Sequence, residues 1–419
     1  MIQRPDSETV PSDPGWRRNL VILWGAEFTA VAGMSTVIPF IPRYVRELGV
    51  GAAESIALWS GIIVAGNFAS SAIMSPIWGN LADRHGRKIM VVRALLGLSL
   101  ACTLMGLAQS AWHLLVARLV QGALGGSVAA ANALVASTSP RDRLGSSLGS
   151  LQAAFMSGAC IGPAAGGLLA DWLGHRAVFF IAATLCLLAT FVVAFGVRER
   201  FVPTSPAERV SFGRNMRILA QSRTLRILFG SVLLSQFALM MLNPLLPMYV
   251  EQLAGDGKHI STLVGFVFAA PALATVVASP LWGRKGDRSN TGMLLPWVLI
   301  GVGAAYVPAA FVTTVAQLVG IRAVMGVFAG GVLPTVNAVA TKAAHHRQTA
   351  SALSFVAVAQ LVGKVSGPVV GGALVAVMAL RPVFIIASLI CAISASVAVP
   401  LGEAGQRTPV LDPTRRPEI

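Results

Sequence analysis

Of the 17 acidic residues in this chain, Glu27 alone stands deep inside an apolar run; the rest fall in tails, in loops or at the ends of such runs. It lies about eight residues, or ~12 Å of helix rise, from the start of its run. A carboxyl held away from water is disfavoured as an anion. Such a group can take a proton from one side of a barrier and release it on the other. Four bases also fall inside apolar runs: Arg93, Arg118, Arg322 and Lys364. Ionisable groups at such depth are costly, and each is a functional candidate by default. Arg118 stands roughly 9 Å from the nearer end of its run. It either tunes the proton affinity of Glu27 or snorkels outward as an anchor. Lys364, directly after Gly363, is about 15 residues into its run, which strains any snorkelling. It could pair with a carboxylate or attract an anionic substrate. Arg93, near the start of its run, reads as an anchor.

Long apolar helices must hold these groups. The chain has 419 residues, 55% hydrophobic and 12% charged, with a mean hydropathy of +0.72. A bilayer core of about 30 Å takes about 20 apolar residues per helix. Hydropathy predicts twelve spans, at 19–42, 57–80, 89–109, 112–137, 145–171, 177–197, 225–250, 260–283, 292–312, 314–340, 349–379 and 382–401. The predicted class is therefore an all-α membrane protein. The net charge of +15 would suggest nucleic acid in a soluble protein. Here the bases cluster in the loops on the side of the termini. Only Arg43, Arg46, Arg176, Lys258 and Arg381 lie in the loops of the other side. The positive-inside rule then places both termini in the cytoplasm, and no nucleic-acid partner is expected. The first apolar run is too long for a cleaved signal. Cys102, Cys160, Cys186 and Cys391 all fall in apolar runs and read as free packing thiols.

The chain is internally duplicated. Pro39-Phe-Ile-Pro42-Arg-Tyr44 matches Pro244-Leu-Leu-Pro247-Met-Tyr249, and Ser75-Pro-Ile-Trp-Gly79 matches Ser279-Pro-Leu-Trp-Gly283. Arg118-Leu-Val-Gln-Gly122 matches Arg322-Ala-Val-Met-Gly326, and Gly162-Pro163-x-x-Gly166-Gly167 matches Gly367-Pro368-x-x-Gly371-Gly372. The polar stretch from Arg198 divides the copies. The predicted organisation is an N-tail (1–18), a first six-helix bundle (19–197), a linker (198–223), a second bundle (224–401) and a C-tail (402–419). Parallel repeats of this kind are one of the transporter plans, with two bundles able to rock about a central site.

The loop Gly79-Asn-Leu-Ala-Asp83-Arg84-His-Gly86-Arg87-Lys88 resembles the signature of the major facilitator superfamily. The resemblance implies a charge network of Asp83, Arg87 and Asp142 that latches one conformation, with Gly79, Arg84 and Gly86 in the same loop. The second copy, Gly283-Arg-Lys-Gly-Asp287-Arg288-Ser, lacks the later Gly and bases. Leu115-Val-Ala-Arg118-Leu-Val-Gln121-Gly122 resembles the family's fourth-helix motif. Gly158-x-x-x-Gly162-Pro163-Ala-Ala-Gly166-Gly167 resembles the motif that marks antiporters, and Gly33 to Pro42 resembles a motif of the twelve-helix drug–proton antiporters. With Trp59-Ser-Gly61, Gly167-Leu-Leu-Ala-Asp171 and Arg176-Ala-Val-Phe-Phe180, the overall likeness is to the MdtG-type multidrug exporters of bacterial inner membranes. The resemblance implies alternating access, exchange of drug for protons and a cavity lined by helices one, four, seven and ten; the lone deep acid Glu27, tuned by Arg118, is the proton-coupling candidate. On that plan Glu27 and Arg118 face each other, about 9 Å apart in depth.

Met34, Asn132, Gln236, Met240, Asn243, Asn337 and Gln360, with Lys364, are the substrate-binding candidates. Each alone is as readily a helix–helix contact, whereas the methionines suit varied ligands. No metal-ligand spacing, nucleophile–base set or phosphate-binding Walker loop occurs, so no cofactor and no enzyme activity are expected. The expected partners are a small molecule, protons and membrane lipid, and the expected state is a monomer. The alternatives are a narrow metabolite transporter or lipid flippase on the same fold, or a non-transporting sensor.

Overall fold

The computed structural model describes residues 15–199, 222–255, 257, 259–288, 291–343 and 349–404. Most of the predicted tails and linker lies outside the described residues. Every regular element among the described residues is helical. Twelve helices are long and apolar enough to cross a membrane: α1 (Trp16–Glu47), α2 (Ala53–His85), α3 (Arg87–Gly106), α4 (Ala111–Thr138), α5 (Leu144–Leu173), α6 (His175–Gly196), α7 (Arg223–Ala254), α8 (Ile260–Gly286), α9 (Gly292–Ala309), α10 (Val315–Ala343), α11 (Ser351–Val375) and α12 (Leu380–Gly402). The predicted spans fall on these within about five residues, the usual error at helix ends. Large apolar side chains such as Trp112, Trp172, Phe195 and Trp297 cover the outside, as lipid contact requires.

The duplicated prolines bend the first helix of each copy. In α1 the turn Ile38–Phe40 is a 3-10 helix, and in α7 the helix stops at Met241 and restarts at Leu246. Proline lacks the N–H that would continue the ladder. The restarted pieces are pinned alike: Tyr44 donates to the Met105 carbonyl at 2.8 Å, and Tyr249 to the Ala309 carbonyl at 3.0 Å.

The Gly-Pro strings make both the within-copy and the between-copy contacts. A Cβ added at Gly158, Gly162 or Gly166 would run into Phe28, Ala32 or Thr36 of α1. At Gly363, Gly367 or Gly371 it would meet Leu233, Phe237 or Met241 of α7. Backbones this close maximise packing contacts where lipid supplies no hydrophobic drive. The last glycine of each string turns to the other copy. Gly167 lies against Ser261 of α8, and Gly372 against Ala57 of α2. The partner glycines Gly265 and Gly61 return the contact, on Pro163 and Pro368.

These cross-contacts sit toward the end of the molecule away from the termini. Ion pairs reinforce that end: Arg46 meets Glu251 at 2.9 Å and Arg43 meets it at 3.3 Å. At the opposite end the copies part. Ser75, Pro76, Gly79 and Asn80 of α2 are exposed. No atom of a neighbouring helix comes within 4 Å of a Cβ built at Gly79, Gly145, Gly149 or Gly283. The molecule is closed at one end and open at the end that carries its termini.

Candidate functional site

Glu27 is 2% exposed, and its Oε1 has no hydrogen-bond partner. The Ser127 side chain lies beside the carboxyl group. Ser127 owes this position to a feature that sequence reasoning missed. The predicted continuous helix at 112–137 is two helices, Ala111–Leu124 and Ser127–Thr138. Gly126 between them has φ +101°, a conformation that favours glycine. The second piece therefore begins in mid-membrane, and its N-terminal residue faces the acid. A helix N-terminus carries partial positive charge and suits a carboxylate.

Arg93 holds the break. Its Nη2 donates to the Gly125 carbonyl at 3.0 Å, and its guanidinium lies 3.8 Å from the centre of the Trp78 ring. Trp78 in turn donates to the Ala123 carbonyl at 2.6 Å. The residue read as an anchor is thus the brace of a broken helix. Below it a cavity of about 290 Å³ is lined by Asp83, Arg87, Arg93, Gly125 and Gly126, among others.

Among the described residues Arg118 makes no hydrogen bond or ion pair with Glu27. Arg118 is 1% exposed and turns into the interior of the first six helices. Its Nη1 donates to Gln121 Oε1 at 2.5 Å, and its carbonyl accepts from Asn67 at 3.3 Å. Among the described residues it has no ion pair, and it does not snorkel outward. The family's cavity plan fixes which helices line the centre but not the direction in which each side chain faces, and here the Arg118 guanidinium turns to Gln121. Gln121, one helical turn from Arg118, is the partner that the motif string already contained. Arg322 repeats the arrangement against Met325 at 3.6 Å.

The expected Asp83–Arg87–Asp142 network is not formed in this conformation. Asp142 pairs with Arg143 at 3.5 Å, both exposed, while Asp83 and Arg87 line the cavity. The end that bears the loop is open, so its parts stand apart. Gly86 ends α2 with φ +97°, and Arg84 is exposed. The N-terminus of α3 finds another acid: Glu199 accepts from the backbone N–H of Arg87 at 3.0 Å and of Lys88 at 2.8 Å. The side chains of Asp287 and Arg288 lie outside the described residues.

The substrate candidates are partly gathered. Gln236 and Met240 border Gly363 and Gly367 of α11, beside Lys364. Asn243 donates to Met240 Sδ at 3.3 Å. Gln360 is half-buried one turn before Lys364, and Asn132 is half-buried in the lower piece of α4. Met34 and Asn337 are exposed. Of the four cysteines, all free, Cys102, Cys186 and Cys391 are buried in packing.

The comparisons with known proteins decide the family. The sequence profile described as Major Facilitator Superfamily matches residues 23–257 and again 228–416. The chain belongs to the major facilitator superfamily. Like other members it is a membrane transporter, not an enzyme. Over 371 residues it is 38% identical to the multidrug resistance protein MdtG of Escherichia coli O6:K15:H31 (strain 536), covering 88% of this chain and 91% of that protein. It is equally identical over 377 residues to MdtG of E. coli O81 (strain ED1a), covering 90% and 92%. The fold is shared with a bacterial homologue of the human lysosomal transporter Spinster, crystallised inward-facing and unoccupied. That superposition has a TM-score of 0.78 at 17% identity and covers 94% of this chain and 98% of the other. This superfamily member is a multi-pass protein of the MdtG type, the type of the bacterial inner membrane.

Proposed function

We propose that the chain is a secondary active exporter that moves amphipathic drugs or other toxic small molecules out of a bacterial cell in exchange for protons. One observation carries the reading: the single deep carboxyl group, Glu27, is sealed from solvent, has an unpartnered oxygen, and faces the start of a broken helix. The MdtG relatives, named as multidrug resistance proteins, support the substrate class. With both termini in the cytoplasm, this conformation is open inward. The two bundles, 19–197 and 224–401, rock about the Gly-Pro contacts. A proton arriving from outside occupies Glu27 as substrate leaves, and its release inward re-forms the substrate-competent state. In the outward-open state the Asp83, Arg87 and Asp142 latch closes the inner end. Arg118 serves the coupling as a rigid member of the first bundle. The protein acts as a monomer.

The test is Glu27→Gln in inverted vesicles energised by respiration. Wild-type vesicles accumulate a fluorescent drug and show substrate-dependent proton movement. The variant binds drug but neither accumulates it nor moves protons. Uphill, proton-driven accumulation by Glu27→Gln would sink the coupling role.

A further inference from the structure

Lys364 has no place in the proton cycle. It sits on α11 where the contact with α2 ends. Following α11 toward the open end, Gly372 packs on Ala57 and Pro368 packs on Gly61. One turn further, the ammonium of Lys364 lies 5.9 Å from the centre of the Phe68 ring. Beyond that, α2 is exposed at Ser75 and Pro76. Lys364 therefore stands at the apex of the gap between the two copies. It is half-buried, and it has no hydrogen bond or ion pair among the described residues.

The internal symmetry gives its depth. Gly158 packs on α1 at Phe28, and Gly363 packs on α7 at Leu233. These are matched positions of the two copies. Glu27, next to Phe28, and Lys364, next to Gly363, are consequently at one level of the membrane. Glu27 is turned to Ser127 in the first six helices and is sealed. Every other described acid lies at a helix end or in a loop. A cation at this depth with no protein counter-charge is costly, and its cost falls when an anion enters the gap.

We infer that Lys364 is the anchor for an anionic group, a carboxylate, sulfonate or phosphonate, on an amphipathic substrate whose apolar part lies against Phe68. This rests on the exporter reading above. Charge-assisted hydrogen bonds from an ammonium to such oxygens are short and strong in a low-dielectric site. The nearby Gln236 and Met240 offer a polar and a soft apolar contact.

The experiment compares one dye in two charge forms: rhodamine B, with a free carboxylate, and its ethyl ester. Transport is measured in energised inverted vesicles carrying wild type, Lys364→Met or Lys364→Arg. Wild type is expected to move both. Lys364→Met should lose at least tenfold for the acid while the ester stays within twofold, and Lys364→Arg should keep most of the acid transport. As a variant-free readout, purified wild-type protein should bind the acid at least tenfold more tightly than the ester. Equal binding, an equal fall for both dyes in Lys364→Met, or an unaffected acid overturns the anchor. Wild type that moves the ester and refuses the acid overturns the anchor and leaves the exporter reading standing. Wild type that moves neither dye overturns both.

Discussion

Asp171 at the end of α5 caps the start of α8 in the other copy: its carboxylate accepts from the Thr262 N–H at 2.8 Å and from the Thr262 hydroxyl at 2.7 Å. A third bond comes from the Ser261 N–H at 3.1 Å. The cap joins the two copies at their closed end. Hydrogen bonds to a charged group contribute about 1.5–3 kcal/mol each. Asp171→Ala should therefore shift the population at least tenfold toward the state open at this end. Spin labels at Glu54 and Arg381, exposed on opposite copies, report it as a longer distance by pulsed dipolar spectroscopy. An unchanged distance distribution would show that the cap does not hold the closure.

The neighbouring Glu251 accepts from Arg46 and lies near Arg43, but Arg46 is half-exposed. Exposed pairs are worth about 0.2–1 kcal/mol and weaken in salt. With two such pairs the total is about 0.4–2 kcal/mol, so Glu251→Gln should shift the same label distances less than Asp171→Ala does, and less still in high salt. An effect as large as that of Asp171→Ala would mean the pairs are better shielded than their exposure indicates.

Two glycines separate stability from conformational bias. Gly162 packs on α1 within its own copy, whereas Gly265 packs on Pro163 across the copies. Overpacking costs about 1–3 kcal/mol. Gly162→Ala should lower the melting temperature in detergent, since α1 and α5 stay packed in both states. Gly265→Ala should leave the melting temperature nearly unchanged and open the labelled end. Equal melting losses for the two would contradict the division.

Arg93→Ala removes both the donor to Gly125 and the stack on Trp78. The carbonyl and the stack are half-buried beside the cavity, so the lost hydrogen bond costs about 0.5–1.5 kcal/mol and the lost cation–π contact about 0.5–1 kcal/mol. Reduced melting temperature and at least tenfold slower transport are expected. Lys at this place should restore little, since it has no planar face to stack. Full transport by Arg93→Lys would reduce the brace to its charge.

The twelve helices were legible because hydropathy alone decides which segments enter lipid. The Gly-Pro strings were also legible, since their spacing puts Gly158, Gly162 and Gly166 on one face and Gly167 on the next. The break in α4 was not. Gly125-Gly126 breaks the helix, yet the matching Gly330-Gly331 stays inside the continuous Val315–Ala343. The difference is tertiary: Arg93 meets the freed carbonyl in one copy, while Gly331 packs on Trp282 and Val298 in the other. The cap by Asp171 was not legible either, because sequence does not show which helix start stands opposite a given acid.

The clasp at the end of the first six helices has a consequence for biogenesis. Arg18 donates to the Gly196 carbonyl, Asn19 exchanges hydrogen bonds with the Arg198 backbone at 2.8 and 3.1 Å, and Glu199 closes on the start of α3. All of these partners have been synthesised once the ribosome has added residue 199, so the ring can shut before the second repeat has emerged. A gene split within the 200–221 stretch and expressed as two polypeptides should still yield an assembled protein.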